Sequence, residues 1–154
     1  MVTKTRGSSL GKQLNALRSL YPEAPTATWK KGQLRWIGNL QPTALCRIYT
    51  VQVSYRPRDS RPIVTVLKPQ LVPPPKARLP HTFRGDELCL HLQHEWNSHL
   101  LIAETIVPWA SEWLLHYELW LATGEWHGGG HEPEAKIDPL VRVASETERS
   151  ARPS

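Results

Sequence analysis

Apolar residues recur at Leu10, Leu14, Leu17 and Tyr21, at spacings of four, three and four. On a helix of about three turns these positions make a single stripe. Ser8 or Ser9 stands where an N-cap is needed, and Pro22 and Pro25 stop the helix. The rhythm then shortens to the period of two that extended chain requires. Residues 34–40 read LRWIGNL, where Gly38 marks a bulge or a close approach. In RIYTVQVSY (47–55), Tyr49, Val51, Val53 and Tyr55 alternate with Ile48, Thr50, Gln52 and Ser54, a strand with two unlike faces. RPRDSR (56–61) is a turn, and PIVTVL (62–67) is a third strand. Short loops between these signals point to an antiparallel meander.

KPQLVPPPKARLPH (68–81) follows, and its run of prolines fits neither a helix nor a central strand. It reads as an extended connection into HTFRGDELCLHL (81–92), where Gly85-Asp86 can turn and Leu88, Leu90 and Leu92 alternate about Cys89. Ile102, Ile106, Ala110, Trp113, Tyr117 and Trp120 or Leu121 then recur every three to four residues, the pattern of a second long helix. Thr105 is its expected N-cap, Pro108 falls in the first turn, and Gly124 ends it. Beyond lie a glycine-rich loop, EWHGGGH (125–131), and a polar segment without periodicity. Helices packed on one antiparallel sheet make this an α+β chain.

The 154 residues are 40% hydrophobic with a mean hydropathy of −0.44, as expected of one soluble domain able to bury a core. No apolar run approaches the ~20 residues of a membrane span. The first residues lack the apolar stretch of a secretory signal, so a cytoplasmic location is expected. Two cysteines, Cys46 and Cys89, are too few for a disulfide framework. Seven Trp against one Phe require indoles in the core. The net charge of +5 is unevenly placed: residues 1–79 carry fourteen Lys or Arg and two acids, residues 80–154 five and twelve. A basic half suits a solvated face, nucleic acid or an acidic protein partner. The aromatic residues lie mostly in the acidic half, on a helix, which counts against stacking on bases.

Cys89 is the leading candidate for chemistry. A cysteine in an alternating apolar run is commonly a buried small hydrophobe. Strand parity gives the other reading: if the leucines point inward, Cys89 and His91 point outward together, as a cysteine nucleophile needs. Cys46 reads as core or strand-edge filler. Cys89, His91 and His94 form a C-x-H-x-x-H triple, but the spacing matches no common zinc finger, and no metal is expected. His116 reads as a surface or satisfied core histidine. Gly128–Gly130 has neither the strand before it nor the Gly-Lys-Ser/Thr of a phosphate loop, so no nucleotide-binding unit or cofactor is expected.

The stretch Pro80–Trp96, with the elements around it, resembles the active-site region of ubiquitin-conjugating enzymes. Those proteins run helix, four-stranded meander, catalytic flap, central helix. Their flap carries His-Pro-Asn, then Ile/Leu-Cys-Leu, then Trp. Here Leu88-Cys89-Leu90 stands in that place and Trp96 follows the cysteine by seven residues. More closely, Pro80-His81, Glu95-Trp96, Val107-Pro108-Trp109, Trp113-Leu114, Tyr117-Glu118 and Thr123-Gly124-Glu125-Trp126 through His131 resemble bacterial ubiquitin-conjugating-like proteins of CBASS antiphage operons. These are encoded beside a cyclic-nucleotide synthase, a cGAS-like nucleotidyltransferase. The resemblance implies an α+β ubiquitin-conjugating-like domain over 9–131, with four antiparallel strands, flanked by a tail (1–8) and a polar tail (132–154). It implies that Cys89 takes the C-terminal glycine of that synthase as a thioester and hands it to a lysine.

The chain departs from the pattern in two ways. It has no His-Pro-Asn; His81, eight residues before Cys89, stands where the Asn falls and could bond the oxyanion or pin the loop. No helical pattern follows the central helix. His91, Trp96 and His131 are candidate supporting residues, the histidines as bases and Trp96 as flap packing. Lys12, Arg18, Lys30, Lys31 and Arg35, on or just after the first helix, are the expected docking face. An activating enzyme, where required, would act in trans. Two classes stay open on these residues: a cysteine-dependent conjugating enzyme, and a non-catalytic regulatory partner of the synthase with the same fold.

Overall fold

The computed structural model describes residues 7–72 and 78–128. Helix α1 runs Leu10–Leu20, and the Ser9 hydroxyl accepts the Lys12 N–H at 3.2 Å, which fixes its start. Tyr21 N–H closes the last turn on the Leu17 carbonyl. The face turned inward is Leu10, Gln13 and Leu17; Leu14 is only partly buried.

The sheet has four antiparallel strands in sequence order: β1 (Thr26–Lys30), β2 (Gln33–Leu40), β3 (Tyr49–Tyr55) and β4 (Ile63–Lys68). Periodicity marks only three of them. β1 is an edge strand with no fully buried residue, so it lacks the apolar alternation that reveals the others. Its hairpin is legible in another way. Lys31 and Gly32, both at positive φ (51° and 73°), join the paired Lys30 and Gln33 in the two-residue turn that suits strand twist. β3 begins at Tyr49 rather than Arg47, because Glu118 takes the Arg47 N–H. Gly38 is a close approach and not a bulge. It pairs with Val51 in unbroken register, and a Cβ there would overlap the Trp36 indole.

Leu34, Trp36 and Leu40 of β2 and Tyr49, Val51, Val53 and Tyr55 of β3 face inward. Helix α2 (Ile106–Thr123) covers this face, with Tyr117 edge-on to Tyr49 at 6.4 Å. Its buried side is Ile106, Val107, Ala110, Trp113, Leu114, Tyr117 and Trp120; Leu121 is exposed. Gly124, at φ 78°, stops the helix and donates to the Trp120 carbonyl. Thr105 occupies the N-cap position but does not cap. Its hydroxyl donates to the Leu101 carbonyl at 2.7 Å and accepts from Trp96 Nε1 at 3.2 Å. Four of the seven indoles (Trp36, Trp96, Trp113 and Trp120) are in the core, as the shortage of Phe requires.

The segment 81–92 is not a strand. It holds one isolated bridge, Thr82 to Leu88, around a tight turn at Arg84–Asp86 with Gly85 and Asp86 at positive φ. Of its three leucines only Leu88 is fully buried; Leu90, Leu92, Cys89 and His91 are all partly exposed. The parity argument for Cys89 and His91 therefore fails. Only Leu88 meets the sheet, through its N–H to the Val64 carbonyl, after which the chain departs from it.

Candidate active site

The flap between β4 and α2 is held by backbone bonds and one ion pair. Phe83 N–H donates to the Glu87 carbonyl at 2.7 Å, and the Thr82 hydroxyl to the Leu79 carbonyl at 3.0 Å. Arg61 reaches from the start of β4 to Glu87 at 2.8 Å and lies over the Phe83 ring, 4.1 Å from its centre. The His81 carbonyl is the central clamp. It accepts the Cys89 N–H at 2.9 Å and the Trp113 indole N–H at 3.1 Å, tying the two limbs of the flap to each other and to α2. His81 itself has φ 50°, an uncommon backbone state for a residue other than glycine.

Cys89 is half-buried, its sulfur 3.9 Å from the His91 carbonyl. Burial pushes its thiol above the ordinary range and the Glu87 carboxylate adds to this; Arg61 and the His91 bond pull the other way without cancelling it. Cys89 lines a narrow cleft of about 80 Å³ together with His81, Trp109, Glu112, His116 and Trp126. A larger hollow of about 400 Å³ between the end of α1 and β2 is lined by Tyr21 and Trp36 and holds no nucleophile.

Cys89 thus stands on a flap between a four-stranded meander and the helix that follows it. Residues 13–133 match the model of the Type II CBASS E2 protein family. The chain belongs to that family. No curated protein matches it significantly. Membership assigns this CBASS E2 protein to the CBASS antiphage system and to the E2 type of conjugating transferase. The match takes in the sheet, the flap with Cys89, and all of α2. No helix among the described residues is long and apolar enough to cross a membrane.

Within this E2 protein the remaining candidates separate. His81 shares the cleft with Cys89, its ring 4.9 Å from that of Trp126. His91 does not line the cleft; its Nδ1 is 2.6 Å from the Leu92 carbonyl and its ring is 5.5 Å from Trp109. Trp96 is a core residue, edge-on to Tyr55 at 5.4 Å. His131 lies outside the described residues. Cys46 is neither core nor strand filler: it sits partly exposed in the β2–β3 loop, 3.2 Å from the Thr43 hydroxyl. Among the described residues no three His, Cys, Asp or Glu side chains gather as a metal site. Of the basic residues, Lys12 and Arg18 are on α1, with Arg18 bonding the Ala27 carbonyl. Lys30 and Lys31 form the β1–β2 hairpin, and Arg35 lies on the exposed face of β2, bonded to Gln52.

Sequence reasoning missed His116 and Trp126. Trp126 folds back from the end of α2 onto Trp113 (5.4 Å) and His116 (5.9 Å) and closes one side of the cleft. Gly128 is a glycine for this reason: a Cβ there would meet Trp126 Nε1 at 2.7 Å and His116 Cδ2 at 2.8 Å. The spacing of Trp109, Glu112, Trp113 and His116 on one helical face was the available signal.

Proposed function

We propose that this protein is a cysteine-dependent conjugating enzyme in which Cys89 takes the C-terminal glycine carboxyl of a cGAS-like nucleotidyltransferase as a thioester and passes it to a lysine. The observation that carries this reading is the position of Cys89: it lies on the clamped flap, lining a cleft with His81, inside the span that matches the CBASS E2 family. The Cys89 thiolate attacks the activated glycine carbonyl, and the leaving group departs with its electron pair. A lysine amine then attacks the thioester, the C–N bond forms, the C–S bond breaks, and Cys89 is regenerated. The Leu88 and Cys89 N–H groups are spent on the Val64 and His81 carbonyls. The oxyanion role therefore falls to the His81 imidazole and to donors beyond those two. The working unit is 9–131, and an activating enzyme, where one is needed, comes in trans. Lys12, Arg18, Lys30, Lys31 and Arg35 supply the docking face for these partners.

The test is intact-mass and non-reducing gel analysis of the protein co-expressed with the synthase of its operon, as wild type, Cys89→Ser and Cys89→Ala. The expected result is a thiol-sensitive adduct in wild type, a thiol-resistant ester with serine, and none with alanine. A second reading, a non-catalytic regulatory partner, is favoured by the raised Cys89 thiol. Equal binding by all three forms with no adduct would establish it in place of the first.

A further inference from the structure

Burial leaves Cys89 a reluctant thiolate. The sulfur therefore leaves an acyl group more readily if a proton reaches it as the bond breaks, and the attacking lysine has a proton to lose. Both needs are met by one group near Cys89 that accepts and returns a proton near neutral pH, which describes an imidazole. His91 is outside the cleft, with Nδ1 against the Leu92 carbonyl. His81 also lines the cleft, its ring against Trp126, and is already assigned the oxyanion role above. His116 lines the cleft from α2, one turn after Glu112, whose Oε1 is 3.7 Å from His116 Nε2. Its Nδ1 is buried and has no hydrogen-bond partner among the described residues. A buried ring nitrogen left unpaired costs free energy unless something supplies the bond. At this distance the Glu112 carboxylate is a nearby negative charge rather than a hydrogen-bond partner, and Nδ1 is the ring nitrogen left unpaired.

We propose that His116, with the Glu112 carboxylate beside it, is the proton shuttle for transfer from Cys89 to lysine. This rests on the thioester reading above. The amine nitrogen bonds to the thioester carbonyl carbon, and as the adduct collapses the C–S electron pair stays on sulfur. The surplus amine proton goes to His116 Nδ1. The imidazolium, balanced by Glu112, returns that proton to Cys89 Sγ, so thiol and neutral imidazole are restored and nothing else is consumed.

Among the described residues, the titratable groups around His116 in the cleft are Glu112 on its own helix and His81 and Cys89 on the flap. Wild type, His116→Gln, Glu112→Gln and His81→Gln are loaded by exchange with a synthetic peptide thioester ending in glycine. Single-turnover discharge to free lysine, and to the stronger nucleophile hydroxylamine, is then followed across the neutral pH range. His116→Gln is expected to load and to slow lysine discharge roughly 100-fold. Hydroxylamine discharge should suffer much less. Glu112→Gln, at an exposed position, should slow lysine discharge in the same direction but less, and His81→Gln should slow lysine and hydroxylamine discharge alike. Wild-type rates of lysine discharge in both the His116 and Glu112 variants overturn the shuttle and leave the thioester reading standing. A wild type that never loads at Cys89 overturns both.

Discussion

Cys89 carries two opposed electrostatic influences within one short flap. Glu87 raises its thiol and Arg61 lowers it, while Arg61 and Glu87 are themselves paired at 2.8 Å. Burial is the largest cause and sets the net direction upward. The rate of Cys89 alkylation by iodoacetamide is therefore expected to rise with pH about a midpoint above the ordinary thiol value of about 8.5. Arg61→Gln removes a lowering charge and leaves Glu87 unopposed by it, so it should move the midpoint higher still. Mass-resolved alkylation separates Cys89 from Cys46, and a midpoint that fell in Arg61→Gln would contradict this balance.

Helix α2 acts on the rest of the fold through polar groups as well as its apolar side. Glu118 Oε1 accepts the Arg47 N–H at 3.0 Å and the Tyr49 hydroxyl at 2.9 Å, which fastens the β2–β3 loop to the helix. Burial alone would raise this carboxyl, but bonds from Cys46, Arg47 and Tyr49 outweigh it and hold the group below its usual range. A carboxyl depressed in the folded state stabilises above its unfolded value and loses that contribution as pH falls through its folded one. Glu118→Gln should thus cost about 1–2 kcal/mol near neutrality, the difference between charged and neutral hydrogen bonds. The gap should close in acid, below the ordinary Glu value of about 4.3. Urea unfolding of both forms at several pH values measures it; a constant gap would mean that the charge contributes nothing. α1 is tied in similarly by Gln13, fully buried, which donates to the Leu100 carbonyl at 2.8 Å and accepts the Ile102 N–H at 2.9 Å. These bonds hold α1 to the turn that leads into α2.

Across the whole molecule, five of the fourteen basic residues of 1–79 (Lys12, Arg18, Lys30, Lys31 and Arg35) lie on α1, the β1–β2 hairpin and β2, while Glu87 and Glu112 are acids of the flap and α2 near Cys89. Opposite signs on separate parts of the chain steer partners more than they bind them. Lys12→Glu, Lys30→Glu and Lys31→Glu together should slow association with the synthase about tenfold at low salt. The difference should shrink as salt rises and the Debye length falls. Stopped-flow association at two ionic strengths reads this directly, and equal rates at low salt would remove the basic face from docking. Arg18 is left out because it bonds the Ala27 carbonyl and its loss would disturb the α1–β1 contact.

The sequence by itself determined what repeats or stands in order along the chain. Legible there are α1 with a serine cap at Ser8 or Ser9, β2 as an extended segment, the two unlike faces of β3, the cap position and glycine stop of α2, and the place of Cys89 in an ordered set of motifs. These follow from periodicities of 3.6 and 2 and from local backbone preferences, which are properties of neighbouring residues. Tertiary structure decided what depends on distant partners. β1 escaped notice because an edge strand buries little and so has no alternation to show. Leu88, Leu90 and Leu92 imitate a strand, but only Leu88 finds the sheet. Thr105 holds the cap position, yet its hydroxyl serves Trp96 and Leu101 instead. Cys89 was legible as a candidate, whereas its neighbours His116 and Trp126 were not. They meet it only because α2 lies against the flap and the chain after Gly124 turns back over the cleft.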